Sequence, residues 1–467
     1  MVLEVCASYL FSPYFGSSNY VWTGIIGVIL LSNSIGNYMG GRLAQHKDED
    51  HLPFILLLAA GFTFMIGTFS DIVCYFIAGC IKDNMFSSLI SSLILLLPAE
   101  LCLGTIPPQI MTRTANRSDK DIGLIYMLST IGGLTGTFIG GYFLIPHIGV
   151  NIIITLCGFI LLIFGFTVKL EKRISAAYFF VLIMAVINIA TVIMSGNKTS
   201  LIFDQKIFDS EYNRIAVGDS INESDGRKIR YMSMAQGFES ATYVDKDMRY
   251  ELIFSYLKSF DTMIDACGRH RTNTLMIGGA AYQYPKYVLA HYTDVNMDVV
   301  EIDSKVTELA KEYFYLQDCI DEYDPEHKRL ELINDDAKVY IKNCEKTYDI
   351  VYNDAFAGQI PVRTLTTLES MQEIKAILNA DGSYVINIVG NTKTGDDKFI
   401  KAECNTLSKV FSHVYLKPCV EIEDDLLNYM IVATDADLDI DAIDFDYSDG
   451  MILTDNYCPV ESLLPVI

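Results

Sequence analysis

The sequence predicts two unlike halves: a multi-pass α-helical membrane domain, then an α/β domain on a mostly parallel sheet. Three observations carry this. Apolar segments of about 20 residues, long enough to cross a bilayer, recur six times before residue 199. Beyond about residue 270, short apolar strands alternate with helical patterns, as a parallel sheet requires. The charge is divided just as sharply. Up to residue 198 there are ten acidic and ten basic residues; the other 48 acidic and 25 basic residues supply the whole net charge of −23. So acidic a second half repels nucleic acid phosphates, excludes nucleic acid as a partner, and suits solubility or cationic ligands.

The six segments are Tyr20–Gly41, Pro53–Cys80, Phe86–Ile110, Ile122–Ile145, Asn151–Val168 and Ala176–Met194. They are too many and too long for a signal peptide. Residues 1–19, with Pro13 and Gly16, read as the end of a span or an interfacial helix. Glycine-rich stretches such as Ser129–Gly136 let helices approach closely, which points to packing. The ionisable residues near the segments are Glu4, Asp71 and Glu100, thin support for transport. Basic residues follow the first, third and fifth segments (Arg42, Lys47, Arg113, Arg117, Lys120, Lys169, Lys172 and Arg173). The positive-inside rule then puts those loops in the cytoplasm and the acidic half on the outer face of a cell membrane. The expected domains are a transmembrane part over 1–198, a β-rich part over 199–262 and a nucleoside-binding part over 263–467.

Eleven cysteines are scattered without a CxxC or a His at ligand spacing, so no metal site is expected. The aspartates from 435 to 449 lack the order of a calcium loop.

In the acidic half, KIFDSEYNRIAVGDS and RKIRYMSMAQGFESATYV alternate apolar and polar residues and read as β-hairpins. A helical pattern covers Met248–Phe260. Strands follow at Asn273–Ile277, Asn296–Ile302, Leu330–Ile333, Tyr348–Asn353 and Gly382–Ile388. Helices are expected from Pro285, over Ser304–Phe314, Ala337–Asn343 and Leu368–Leu378. Ligands of such sheets sit beyond the carboxyl ends of the strands. There the sequence places Gly278–Gly279 for a tight turn, Glu301 for a ribose diol, Asp336 for an adenine amino group, and Asp354. The turn, GGAAYQYP, fits neither GxGxxG nor GxxxxGK[ST], which disfavours phosphates and leaves an S-adenosyl type of nucleoside.

At these residues the sequence resembles the aminopropyltransferase (spermidine synthase) family. The stretch from Met276 to Leu316, with Glu301–Asp303 as EID, resembles its nucleoside-binding segment. DDAKVYI, holding Asp336 and Ala337, resembles its adenine segment, and YDIVYNDAF its catalytic strand. Phe15–Ala44, Pro361–Ser370 and Leu453–Leu463 resemble the membrane-fused members. The resemblance implies a Rossmann-like, S-adenosylmethionine-methyltransferase-type domain preceded by a β-hairpin region. It implies transfer of an aminopropyl group from decarboxylated S-adenosylmethionine to a polyamine or similar amine. Asp354 would be catalytic; Gly278, Gly279, Glu301, Asp303, Asp336 and Ala337 would hold the nucleoside. Glu239 and Tyr250 would line the amine pocket. A lipid bilayer and a second copy of the chain are the other expected partners, and a cytosolic co-substrate opposes the outer-face orientation read from the charges. The family's Asp-x-x-Asp loop reads Asp354-Ala355-Phe356-Ala357 here, without the second carboxylate. A binding-only sensor or transporter, or a methyltransferase using S-adenosylmethionine, therefore stays open beside the transferase.

Overall fold

In the computed structural model the described residues are 1–16, 18–45, 51–81, 83–114, 119–167, 175–195, 205–234, 240–266, 273–357, 360–392, 395–420 and 427–464. The chain forms two compact units: Met1–Ala216 with Met234–Gly237, and Val217–Ser233 with Phe238–Ile467.

The first unit is helical: α1 Val2–Phe15, α2 Asn19–Leu43, α3 Leu52–Cys80, α4 Asn84–Leu95, α5 Leu97–Gly104, α6 Ile106–Thr114, α7 Asp119–Ile139, α8 Val150–Thr167 and α9 Ser175–Ser195. A π turn at Gly140–Leu144 and a last turn at Ile145–Ile148 prolong α7. Among the described residues two stretches are long and apolar enough to cross a membrane, Leu52–Cys80 and Ile122–Ile148. A third is Asn84–Leu95 with Leu97–Thr112, if that bent pair is one span. The bend falls inside the expected third segment, where Pro98 sits in the first turn of α5 and cannot continue the hydrogen-bond ladder.

Close approach explains the small residues. A Cβ at Gly36 or Gly40 of α2 would collide with the main chain of Leu101 or Thr105. Gly67 of α3 leaves room for Asn188 of α9, whose amide donates to Thr68 Oγ1 (3.3 Å) and accepts from Thr155 Oγ1 (2.7 Å). That three-helix clamp satisfies a fully buried amide in an apolar bundle.

Beyond the helices, β1 (Gln205–Asp209) turns into β2 (Arg214–Ile221). Ser210 N donates to Asn213 O, and Ser210 Oγ accepts from Tyr212 N and Asn213 N. In the second unit β3 (Lys228–Ser233) pairs antiparallel with β4 (Ser240–Tyr243). The expected hairpins are therefore present. The expected helix from Met248 instead begins at Ser255: α10 is Ser255–Ala266. Upstream, Thr242 Oγ1 donates to Arg249 O and Glu251 N to Met248 O, holding an irregular turn.

The second unit is a seven-stranded sheet with β5 Asn273–Ile277, β6 Asn296–Glu301, β7 Leu330–Asn334, β8 Tyr348–Asn353, β9 Leu378–Gly390, β10 His413–Pro418 and β11 Leu427–Thr434. Between them lie α11 Gln283–His291, α12 Ser304–Tyr313, α13 Leu316–Tyr323, α14 Ala337–Asn343, α15 Leu368–Ala376 and α16 Lys398–Leu407. The order is β10-β11-β9-β8-β5-β6-β7. Strands β5 to β9 run parallel, while β11 enters antiparallel between β9 and β10. This is the Rossmann-like, S-adenosylmethionine-methyltransferase-type arrangement. The antiparallel pair, α13 and α16 extend the expected element list.

The central parallel strands are apolar on both faces because helices cover both. Leu275, Val351 and Ile386 pack on one side, and Met276, Tyr352 and Val385 on the other. On the inner side of α11 Lys286 is fully buried, donating to Phe314 O (2.6 Å) and Thr242 Oγ1 (3.2 Å), with no carboxylate of the described residues beside it. Burial lowers its pKa to about 7. The unfolded chain then binds more protons than the folded one between about pH 7 and the ordinary lysine value near 10.4, so stability rises with pH across that window. Lys286→Met should remove that rise in melting temperature; an identical pH slope in the variant would contradict the assignment.

Candidate active site

The site is built where β5, β6 and β8 end together. Strand β5 stops at Gly278, whose φ of +90° lies in the region glycine favours. A Cβ there would stand 2.8 Å from Asp354 O, and Asp354 N donates to Ile277 O at 2.9 Å. The turn behind Gly278 and the carboxylate beyond β8 are thus joined through main chain. The turn is also strained. Ala280 (φ +43°) and Tyr282 (φ +53°) both adopt left-handed backbone without being glycine, a cost of about 1–2 kcal/mol each. Such outliers persist where the surroundings over-determine them. Here Tyr282 N closes on Gly279 O (2.7 Å), and its buried hydroxyl meets Thr307 Oγ1 (2.7 Å).

Glu301, the last residue of β6, is buried and turned onto this loop. Its Oε2 accepts from Gly279 N (2.8 Å) and Ala280 N (3.4 Å), and its Oε1 from Asp303 N (3.0 Å). Burial raises its pKa against the pull of those amides. A carboxylate has about four acceptor positions, so the loop leaves capacity for another donor. Asn334 Nδ2 ties the end of β7 to Glu301 O and Ile302 O, both at 2.9 Å.

Asp303 and Asp336 have definite local roles. Asp303 caps α12 through Lys305 N (3.0 Å) and is almost completely buried. Asp336 caps α14, accepting from Lys338 N (2.8 Å) and Val339 N (3.2 Å). Aspartate at a helix N-cap satisfies free amides whatever else it binds. Ala337 begins α14 beside it.

Asp354 has two neutral donors. Asn387 Nδ2 reaches Oδ1 at 2.9 Å and Tyr256 OH reaches Oδ2 at 3.0 Å. Asn428 Nδ2 donates to Asn387 Oδ1 (2.9 Å) and so orients that amide. Burial raises the pKa of Asp354 to about 6, although both donors favour the ionised form. A carboxylate in that range takes up a proton at neutral pH more readily than an ordinary aspartate. Asn353 Oδ1 accepts from Ala355 N (3.2 Å), setting the turn that leads to Ala357. Main chain at Phe356–Ala357 pairs with Ile360–Pro361.

The expected residues do not all converge. Gly278, Gly279, Glu301 and Asp354 are linked by the contacts above. Tyr250 is placed elsewhere: its ring packs edge-on to Tyr323 (5.6 Å) and lines a cavity of ≈ 520 Å³ with Arg249, Glu251, His291 and Asp318. Glu239 lies outside the described residues. A larger cavity of ≈ 770 Å³ opens at Asn273, Asn296, Leu330 and Tyr348, the first residues of their strands. That edge is opposite to the one where such sheets bind ligands. Sequence reading missed Tyr256, Asn387 and Asn428. The available signal was Asn387 standing between Ile386 and Ile388 in an otherwise apolar strand. Among the described residues no group of three His, Cys, Asp or Glu could hold a metal.

Residues 258–442 match the spermine/spermidine synthase domain. A polyamine aminopropyltransferase of Vibrio vulnificus is 33% identical over 144 residues, 30% of this chain and 44% of that protein, so the chain matches less than half of that relative's length. Polyamine aminopropyltransferase 2 of Aquifex aeolicus is 22% identical over 422 residues, 88% of this chain and 80% of the relative. A match that long takes in most of the helical unit as well. Among solved structures, a probable spermidine synthase from Corynebacterium glutamicum is 22% identical with a TM-score of 0.42, covering 50% of this chain and 80% of that one.

The Gly278 contact is directly testable. Gly278→Ala should lose about 1–2 kcal/mol of stability from backbone conformation alone and more from the clash with Asp354 O. Wild-type stability would contradict the geometry.

Proposed function

Because the chain carries a spermine/spermidine synthase domain, we propose that it is an aminopropyltransferase, moving an aminopropyl group from decarboxylated S-adenosylmethionine to a di- or polyamine. The observation that supports this reading is Asp354: a carboxylate shifted to about 6, at the carboxyl end of β8, joined through main chain to the Gly278–Gly279 turn.

The nucleoside is assigned to that turn, to Glu301 and to the segment at Asp336–Ala337, with Asp303 holding the start of α12. The amine nitrogen attacks the methylene carbon next to the sulfonium. The carbon–sulfur bond breaks with its electron pair going to sulfur, which leaves methylthioadenosine as a neutral thioether. The proton released from the new ammonium passes to ionised Asp354. Tyr256 and Asn387 hold that carboxylate in place and stabilise its charge before the proton arrives. With Ala357 where the family has a second carboxylate, the far ammonium of a diamine has one anionic partner fewer, so its affinity is lower. We also place the helical unit in a lipid bilayer, on the strength of its long apolar helices.

A binding-only reading is favoured by one feature, Ala357 itself, and it predicts nucleoside binding without turnover. Methyl transfer from S-adenosylmethionine uses the same nucleoside contacts and differs only in the group attached to sulfur.

In full-length protein, Asp354→Asn should lower kcat about 10²- to 10⁴-fold, the range for a positioned general base, and leave methylthioadenosine affinity nearly unchanged. Undiminished turnover would remove Asp354 from its role. The same base must be ionised to act, so kcat/KM should rise with pH through about 6. Asn387→Ala deletes a donor that favours the ionised form, so that rising limb should move to higher pH; a limb that moves down or stays fixed would contradict the pairing.

A further inference from the structure

Within the helical unit one carboxyl group lacks the partners that burial demands. Glu100 of α5 is 4% exposed, and its Oε1 has no hydrogen-bond partner. It sits two residues past Pro98, just after the axis turns by 52° between Asn84–Leu95 and Leu97–Thr112. Burying an ionised carboxylate costs several kcal/mol unless it is paired and both its oxygens are hydrogen-bonded. A proton on the unpartnered oxygen removes that charge and completes the group. The Asn33 side chain of α2 hydrogen-bonds the group. Around that bond α2 and α5 meet main chain to main chain: a Cβ at Gly104 would stand 3.0 Å from Asn33 Cα.

The surroundings supply little charge compensation. Among the described residues the charged groups that face Glu100 are Glu4 of α1 and the amino group of Met1. The only charged residue of α2, Arg42, stacks over Tyr38 (5.9 Å). The only one of α3, Asp71, bonds Tyr14. The α4 helix has none and turns Ser87, Ser88, Ser91 and Ser92 inward, all fully buried.

We propose that Glu100 is a proton-exchange site: the broken helix pair holds its protonated carboxyl against Asn33, and loss of the proton loosens the packing of α4 and α5 on α2. A buried ionisable group at a helix break inside an apolar bundle is the arrangement expected of a site with a function rather than of packing alone. The inference concerns the helical unit and stands apart from the transfer reading, so either can fail without the other.

The chain contains its own reporter. Trp22, the single tryptophan, lies on α2 two residues before Gly24, where a Cβ would be 3.8 Å from Ser88 Oγ of α4. Full-length protein in phosphatidylcholine–phosphatidylglycerol vesicles would be titrated from about pH 5 to about pH 10, bracketing the carboxyl and amino ranges, with Trp22 emission as readout. A reversible transition is expected in wild type, absent in Glu100→Gln, retained in Glu4→Gln and restored at another midpoint in Glu100→Asp. In parallel, dicyclohexylcarbodiimide, which modifies protonated carboxyls in apolar surroundings, should label Glu100 in wild type with a yield that falls as pH rises. A Trp22 transition that persists in Glu100→Gln, or no transition at all, overturns the proposal. So does a Glu100 that stays unlabelled or is labelled equally at every pH. The labelling is read on wild type, so a poorly folded variant does not shelter the idea.

Discussion

The approach of Gly278 to the main chain of Asp354 is the constraint from which the rest of the site follows. Two strands end side by side, and only a residue without Cβ, in left-handed backbone, fits between them: a Cβ at Gly278 would stand 2.8 Å from Asp354 O. That closure sets where the turn to α11 begins. It thereby sets where Gly279 and Ala280 present their amides to Glu301. It also sets the height at which Asp354 leaves β8. The turn and the Asp354 carboxylate are thus positioned by one backbone contact rather than by two independent loops.

Among the described residues, Asp354 is supported by neutral donors. Tyr256 from α10 and Asn387 from β9 both donate to Asp354, and Asn428 from β11 orients Asn387. No second carboxylate stands beside it among the described residues, and the group is tuned by burial, which raises its pKa, against two donors, which lower it. The antiparallel strand contributes here as well, since β11 carries the residue that steers the amide. An aspartate tuned upward suits a proton acceptor working near neutrality. An ordinary surface aspartate, ionised far below neutral pH, is a weaker base.

Much of this architecture was legible in the sequence because it depends on local rules. Strands buried on both faces read as apolar runs, so β5, β6, β8 and the core of β9 were visible as NTLMI, NMDVVEI, YDIVYN and GSYVINI. The residues at their ends followed from topology. Strand β11 was not visible as a sheet member, because it enters antiparallel and strand–helix alternation carries no signal for it. The helix expected from Met248 failed because Thr242 and Met248 bond the main chain of the next residues into a turn. Ligand and cap roles of aspartate are indistinguishable in sequence: Asp303 and Asp336 follow strands and also start helices, and the cap contacts appear only in three dimensions. Tyr256 and Asn387 are 131 positions apart and meet only through Asp354. Tyr250, by contrast, was assigned from a resemblance in a short segment, and its ring points to Tyr323.

Aminopropyl transfer by a loop that keeps only the first of the family's two carboxylates, Asp354, can be measured directly. The most direct measurement incubates full-length protein with decarboxylated S-adenosylmethionine and putrescine, and in parallel with S-adenosylmethionine, and identifies the products by mass spectrometry. Methylthioadenosine and an amine heavier by one aminopropyl group are expected in equal amounts, from the decarboxylated co-substrate alone. Binding with no new amine, or a methylated amine from S-adenosylmethionine, would contradict that expectation.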